Sequence, residues 1–141
     1  MVEDIEIGSI YRINLDEKDD VTPKDGLDFR PKFFIVIGSA EYGYYVAYVL
    51  INKSINAKYL YTKALLNHQY PLRVKDYPAI FNIGPSYANL ARIREMEKER
   101  LLHGASYQGK LTEKDFALIM ETLRNSDVIT MKEKKRYGLI E

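Results

Sequence analysis

The chain has 141 residues, a hydrophobic fraction of 46% and a formal net charge of +1 at pH 7. This length predicts a single domain over residues 1–141, and the hydrophobic fraction is large enough to build a core. The near-neutral charge excludes nucleic-acid binding through overall charge, so any such binding needs a local basic patch. The absence of cysteine excludes disulfides and thiolate metal sites.

The N-terminal residues and the apolar runs indicate where in the cell the protein is located. The N-terminal Met1-Val2-Glu3-Asp4 is acidic and lacks the basic region and apolar core of a signal peptide. No apolar run approaches the ~20 residues of a membrane span. We therefore expect a cytoplasmic protein that does not contact a membrane.

The first predicted elements are a strand and a long loop. Tyr11, Ile13 and Leu15 alternate with polar residues over 10–15, which predicts a half-buried strand. Residues 16–29 carry six acidic and two basic residues together with a proline and a glycine. This composition predicts a mobile loop, and loops of this length inside a small domain are usually functional or disordered.

The next segment has the pattern of a hairpin. The run 32–38 is apolar, β-branched and aromatic, as expected of a central strand. Residues 39–43 form a predicted short turn, and 44–51 pairs back as the partner strand. Strands 10–15, 32–38 and 44–51 then make an antiparallel meander, which suggests a small barrel.

Prolines divide the middle of the chain into short elements. Residues 59–68 fit either a short helix or a strand followed by one, and 70–74 and 79–83 are candidate short strands. Residues 94–102 have a helical pattern, with Gly104 as the predicted C-terminal boundary.

The last predicted helix covers 113–124. Thr112 is a good N-cap, and acidic residues in the first turn favour the helix dipole. Phe116, Ile119, Met120 and Leu123 share one helical face, which we expect to be buried. A basic tail at 131–141, richest in lysine and arginine at 132–136, follows and is a candidate nucleic-acid contact or a solvated surface.

Three motifs resemble the MazF/PemK toxin family in order and spacing. Gly8-Ser9-Ile10 is similar to the family's opening strand, with serine in place of an acid, and Arg30-Pro31 is similar to the pair that begins its central strand. Residues 109–119 look like the glycine-led segment and helix at the family's C-terminal end. The resemblance implies an α+β fold, a small SH3-like antiparallel barrel with helices packed outside. It also implies a metal-independent endoribonuclease acting on single-stranded RNA, a homodimer, and an antitoxin partner.

The sequence departs from the family at the catalytic turn. The family has a threonine in the turn after the second hairpin strand, whereas residues 51–56 here contain none. Ser54 is the candidate hydroxyl and Asn52 the candidate polar contact. The alternative for both residues is simple turn formation, since Asn and Ser bond their own backbone in turns.

Arg30 is the main candidate for phosphate chemistry. Metal-free RNA cleavage requires deprotonation of the 2′-hydroxyl, stabilisation of the phosphorane charge and protonation of the 5′-oxygen. A guanidinium is a planar double donor suited to that charge. The alternative is a surface ion pair between Arg30 and the acidic loop. Arg12, Lys32 and Lys53 are the candidate RNA-binding cations beside it.

Other residue types give weaker signals. His68 and His103 are the only histidines and offer a histidine acid–base pair, although each also fits a structural role. Nothing in the sequence supports a metal or another cofactor. Tyr42, Tyr44, Tyr45 and Tyr48 offer stacking surfaces for bases or, alternatively, sheet packing.

Two rival functions remain open at this stage. One is a non-catalytic SH3-like protein-binding module that has lost the active site. The other is a toxin that poisons another protein, as fold relatives do with gyrase.

Overall fold

A computed structural model describes residues 5–15, 30–53, 62–81 and 86–141. The strands are β1 (Ser9–Leu15), β2 (Arg30–Ala40), β3 (Tyr45–Asn52), β4 (Gln69–Leu72), β5 (Ser86–Asn89), β6 (Arg94–Glu97) and β7 (Ser106–Lys110). The helices are α1 (Lys63–Asn67), α2 (Lys98–Gly104), α3 (Glu113–Arg124) and α4 (Met131–Arg136). No helix within these ranges is long and apolar enough to cross a membrane.

The strands form one antiparallel sheet in the order β4-β5-β3-β2-β1-β7, with β6 also paired to β3. β5 pairs with the last residues of β3, and β6 pairs with its first half. The predicted α+β class and the antiparallel meander of β1, β2 and β3 are confirmed.

The core lies on both faces of this sheet. On one face, Ile35 and Val49 pack with Ile119 and Leu123 of α3. On the other face, a smaller cluster contains Phe34, Tyr48, Leu50 and, from α2, Leu101. Ile13 and Leu15 are buried in this smaller cluster and Tyr11 packs against it, as the period of two in β1 predicts.

Helix α3 follows the sequence closely. The Thr112 side chain accepts a hydrogen bond from the amide of Asp115, which makes it the N-cap. Ile119, Met120 and Leu123 are buried as predicted. Phe116 is only half-buried, because it lies at the helix start, where its ring faces Gly8 at the border of the sheet.

The prediction of a helix over 94–102 is wrong in its first part. Residues 94–97 are strand β6, and the helix begins only at Lys98 and ends at Gly104. The strand pairs with Tyr45–Tyr48 of β3 and buries Met96 on the Phe34 face, so tertiary pairing overrides the local helical pattern.

The middle of the chain differs from expectation in part. Helix α1 occupies 63–67 and β4 covers most of the predicted strand 70–74. Residues 78–80 are a turn, not the start of a strand over 79–83, because Tyr77 accepts backbone bonds from Ile80 and Phe81. The predicted loop 16–29 lies outside the described residues.

The basic tail is largely a helix packed on the sheet. Thr130 and Glu133 form a capping box at the start of α4. Lys134 is 6% exposed, and its ammonium donates to the carbonyl of Ser126 at 2.7 Å. At Gly38, any Cβ would lie 2.4 Å from the carbonyl oxygen of Tyr137, so glycine allows α4 to approach β2 closely.

Candidate functional site

The open end of the β2–β3 hairpin is the end at which β2 begins and β3 ends. It brings together two of the predicted site residues, Lys32 and Asn52. The Lys32 ammonium donates a hydrogen bond to Oδ1 of Asn52 at 2.5 Å. Lys32 is 8% exposed, whereas Asn52 is half-buried. A lysine this buried requires polar partners, and the Asn52 amide supplies one. The bond also fixes the amide orientation, because the lysine has only donors and so faces the oxygen.

A β-bulge in the hairpin creates this pairing. Near the turn, Ala40 pairs with Tyr45 and Gly38 with Ala47. The register then shifts between Val36 and Gly38, so that Phe33 pairs with Ile51 and Lys32 stands opposite Asn52. Without the extra residue, Ile37, the same turn would set Lys32 opposite Lys53. The bulge therefore replaces a pair of like charges by a lysine–amide pair.

The other predicted residues near this end are placed as follows. Arg30 is the first residue of β2 and pairs with Leu15. Lys53 directly follows β3 and is exposed. Ser54 lies outside the described residues.

Arg12 does not join this group. It pairs with Phe33, which packs on the opposite face of the sheet from Phe34, and it alternates with the buried Ile13 along β1. Directly paired residues share a face, so the exposed Arg12 side chain lies on the other side of the sheet from Lys32.

A second polar cluster surrounds the start of α3. The Asp115 carboxylate accepts hydrogen bonds from the hydroxyls of Tyr70, at 2.5 Å, and Tyr77. Burial, followed by the bond to Asp115, raises the pKa of Tyr77 to about 12 and also raises that of Tyr70. Both tyrosines therefore stay protonated at neutral pH, and the amide of Thr112 donates to the Tyr77 oxygen at 3.1 Å.

The histidines have separate structural partners. His68 contacts the Ala64 carbonyl through Nδ1 and the Ser126 hydroxyl through Nε2, each at 2.6 Å. His103 on α2 is 3.8 Å from Glu99 on the same helix. Neither contact involves the Lys32–Asn52 end.

The four tyrosines proposed for stacking divide by exposure. Tyr48 is 2% exposed and belongs to the core, whereas Tyr42 at the hairpin turn is fully exposed. Tyr44 is exposed and meets the half-buried Tyr45 edge to face, with ring centroids 4.7 Å apart. Tyr42, Tyr44 and Tyr45 thus lie together at the turn of the hairpin, at the opposite end of β2 from Lys32.

The chemistry available at the open end is polar and cationic. Within the described ranges, no group of three or more His, Asp or Glu side chains is arranged to hold a metal ion. An amide and ammonium groups donate to anions, so the arrangement suits phosphate oxygens. Lys32 and Asn52 are separate candidates in the sequence, which contains no local signal for their contact because a bulge between distant residues creates it.

The chain is similar to known proteins in its structure but not detectably in its sequence. No family model and no curated protein matches the sequence. Among solved structures, a chain in the crystal structure of MazE-MazF (Form-III) from Deinococcus radiodurans matches with a TM-score of 0.55 and 11% sequence identity. The match covers 84% of this chain and 92% of that one. The chain therefore shares a MazF-like fold.

Proposed function

We propose that the protein is the toxin of a toxin–antitoxin pair and cleaves single-stranded RNA without a metal ion at the open end of the β2–β3 hairpin. The observation that carries this proposal is the hydrogen bond between Lys32 and Asn52. This bond sets an ammonium and an amide side by side, and Lys32 directly follows the Arg30-Pro31 pair that begins β2.

The proposed reaction is a transesterification within the RNA. The ribose 2′-oxygen loses its proton and bonds to the adjacent phosphorus, and the bond to the 5′-oxygen breaks as that oxygen gains a proton. The products are a 2′,3′-cyclic phosphate and a 5′-hydroxyl. Negative charge grows on the non-bridging oxygens, so fixed donors aimed at them lower the barrier.

Each candidate residue has a role in this proposal. The Arg30 guanidinium binds two phosphorane oxygens through parallel N–H groups. Because Oδ1 of Asn52 accepts from Lys32, its Nδ2 group remains the donor, here to the scissile phosphate. Ser54 supplies a further hydroxyl, and Lys53 binds a neighbouring phosphate.

The proposed partners follow the structural likeness. The matching chain comes from a MazE–MazF crystal structure, and we propose by analogy that an antitoxin protein neutralises this chain. We also propose that the chain forms a homodimer in the cytoplasm.

One observation favours a second function. Residues 51–56 contain no threonine, which is the feature expected of a barrel that binds protein and has lost its catalytic site. A non-catalytic SH3-like binding module is therefore the alternative, and it predicts no RNA cleavage at all.

Substitution of Arg30 distinguishes the RNA-cleaving toxin from the non-catalytic binding module. Arg30→Ala should lower turnover ~10²–10³-fold, because a donor to the developing charge is removed. Arg30→Lys should rescue poorly, since an ammonium cannot make the paired planar contact. Lys135→Ala, on the exposed side of α4, is the matched loss of a positive charge and should leave turnover unchanged. Equal turnover of Arg30→Ala and wild type would overturn the assigned role.

A further inference from the structure

The face of the sheet that carries Asn52 continues across β5 to β4. Asn52 pairs with Tyr87 of β5, and Tyr87 pairs with Pro71 of β4. Asn89, two residues further along β5, pairs with Gln69. Directly paired residues, and residues two apart along one strand, project from the same face. The four side chains of β4 and β5 thus form one patch beside the proposed cleavage site, with about 4.8 Å from strand to strand.

The backbone holds the two amides of this patch in one orientation. Oδ1 of Asn89 accepts from the backbone amide of Ala91 at 3.2 Å and from Nε2 of Gln69 at 2.9 Å. Nε2 of Gln69 also donates to the carbonyl of Leu65 at 3.3 Å. A backbone amide can only donate and a carbonyl can only accept, so neither side-chain amide can be turned over. The Nδ2 group of Asn89 and the Oε1 atom of Gln69 are the ends that remain.

Both remaining ends can meet a ligand. Within the described part of the chain, neither end has a further hydrogen-bond partner. No buried side-chain nitrogen or oxygen of the described residues lacks a partner, so these two atoms, which lack one, must reach solvent. Gln69 as a whole is only 8% exposed, and Asn89 is half-buried. The patch therefore presents one fixed donor and one fixed acceptor on side chains that are held in place.

We propose that Gln69 and Asn89 bind the edge of one RNA base next to the phosphate at Asn52. The base stacks on the half-buried ring of Tyr87 and on the exposed Pro71. RNA bases that leave the stack are bound in this way, by aromatic rings and by hydrogen bonds to their edges. The inference rests on the proposed function and deepens it, because it makes the two amides the specificity-determining residues of the cleavage.

The order of the donor and the acceptor decides which bases fit. Adenine and cytosine present an acceptor nitrogen beside an amino group, whereas guanine and uracil present a ring N–H beside a carbonyl oxygen. In a base held in one orientation, these two arrangements run in opposite order, so the fixed amides favour one of them. A wrong base leaves the amides unpaired, which should lower kcat/KM by at least about tenfold.

Asn89→Asp is the most informative variant. An aspartate keeps the oxygen that accepts from Ala91 and Gln69 but turns the remaining end from a donor into an acceptor. Asn67→Asp, at the exposed last residue of α1, adds the same charge two residues before Gln69 and is the matched control. Gln69→Met removes the remaining acceptor, and Tyr87→Ala removes the stacking ring. Thermal unfolding checks that each variant folds, and either amide variant tests the inference if the other does not.

The test measures base preference in cleavage and in binding. Each protein is incubated with single-stranded RNA of randomised sequence, and sequencing of the cleaved ends gives the relative kcat/KM for each base beside the cut. Binding of 2′-O-methyl octanucleotides of adenine, cytosine or uracil, which lack the attacking hydroxyl, is measured by fluorescence anisotropy.

The wild type and Asn67→Asp should share one base preference. Asn89→Asp should change the favoured base, and Gln69→Met should reduce the preference about tenfold. Tyr87→Ala should weaken binding of all three octanucleotides, because stacking tolerates any base. Tyr87→Phe keeps the ring and should bind as the wild type does.

The outcomes separate this inference from the proposed function. If the wild type cleaves RNA without base preference, or if both amide variants keep its preference, the amides do not select the base and the proposed function stands. If the wild type binds RNA without cutting it, the proposed cleavage fails. A preference in binding that Asn89→Asp changes would then support the role of the amides, and an unchanged preference would overturn it. If the wild type neither binds nor cleaves RNA, both proposals fail.

Discussion

At the turn end of the β2–β3 hairpin, Arg136 donates to both oxygens of Glu95, at 3.3 and 3.0 Å, and to Glu41 at 3.4 Å. Tyr137 donates to the same Glu95 at 2.8 Å. At the open end, Lys32 instead donates to the amide of Asn52. The turn end uses complementary charges to hold α4 on the sheet, whereas the open end groups donors that suit an anion. One hairpin thus carries a structural polar cluster and a candidate site about a strand length apart.

The largest effect should come from Lys32→Met, which keeps the length of the side chain and removes its charge. Turnover on RNA should fall ~10²–10³-fold, because the Asn52 amide loses the bond that orients it toward the phosphate. Stability should also fall, by about 1–3 kcal/mol, because the half-buried Asn52 amide oxygen loses its donor. Initial cleavage rates and urea unfolding measure the two effects.

Arg136→Met is the matched control at the other end. It should lower the melting temperature slightly, because the exposed ion pairs with Glu95 and Glu41 are lost, and should leave turnover unchanged. A loss of turnover equal to that of Lys32→Met would show that the two ends are not functionally distinct.

The next effect tests the close approach of α4. Gly38→Ala should destabilise the protein by about 1–3 kcal/mol, because its Cβ would meet the Tyr137 carbonyl and force α4 away from β2. Gly104→Ala is the control, since its Cβ would meet only Ile13 at an ordinary 3.6 Å. Thermal unfolding of both variants measures the difference. Equal melting temperatures would contradict the close approach.

An effect of alkaline pH should follow from Tyr77. Its pKa is raised from 10.0 to about 12 in the folded protein, so the folded state holds this proton more tightly than the unfolded chain. The stabilisation is complete below pH 10 and is lost as pH rises toward 12. Tyr77→Phe should flatten the fall in unfolding free energy over this range, whereas Tyr107→Phe, at an exposed ring, should not.

The smallest effect concerns Glu95 at acid pH. Burial alone would raise its pKa, but hydrogen bonds from Arg136 and Tyr137 outweigh burial and lower it. The unfolding free energy should therefore fall as pH drops below the ordinary value of 4.5. Glu95→Gln should reduce this fall by less than about 1 kcal/mol, measured by urea unfolding between neutral and acid pH. An unchanged slope would mean that the pair adds nothing to stability.

Local periodicity explains which parts of the fold the sequence predicts. The alternation in β1 and the helical spacing of Ile119, Met120 and Leu123 are local patterns, and both elements are confirmed. The strand character of 94–97 depends on pairing with β3, which no local pattern contains. Pairing of distant segments decides such ambiguous stretches.

The candidate site is less predictable for the same reason. The sequence names Arg30, Lys32 and Asn52 as separate candidates, but the bulge at residue 37 decides that Lys32 faces Asn52 and not Lys53. A cavity between β4 and the start of α3 joins Arg73 and Lys75 to Lys114, which lies far along the chain. Only the packing of α3 against β4 brings these cations to one rim.

Metal-independent RNA cleavage is tested most directly by incubating the purified protein with mixed-sequence single-stranded RNA in EDTA and analysing the product ends. Wild-type protein should cleave the RNA and leave 2′,3′-cyclic phosphate and 5′-hydroxyl ends. Lys32→Met should cleave far more slowly, whereas Arg136→Met should cleave as the wild type does. Intact RNA after incubation with folded wild-type protein would contradict the proposed ribonuclease activity and favour the binding module.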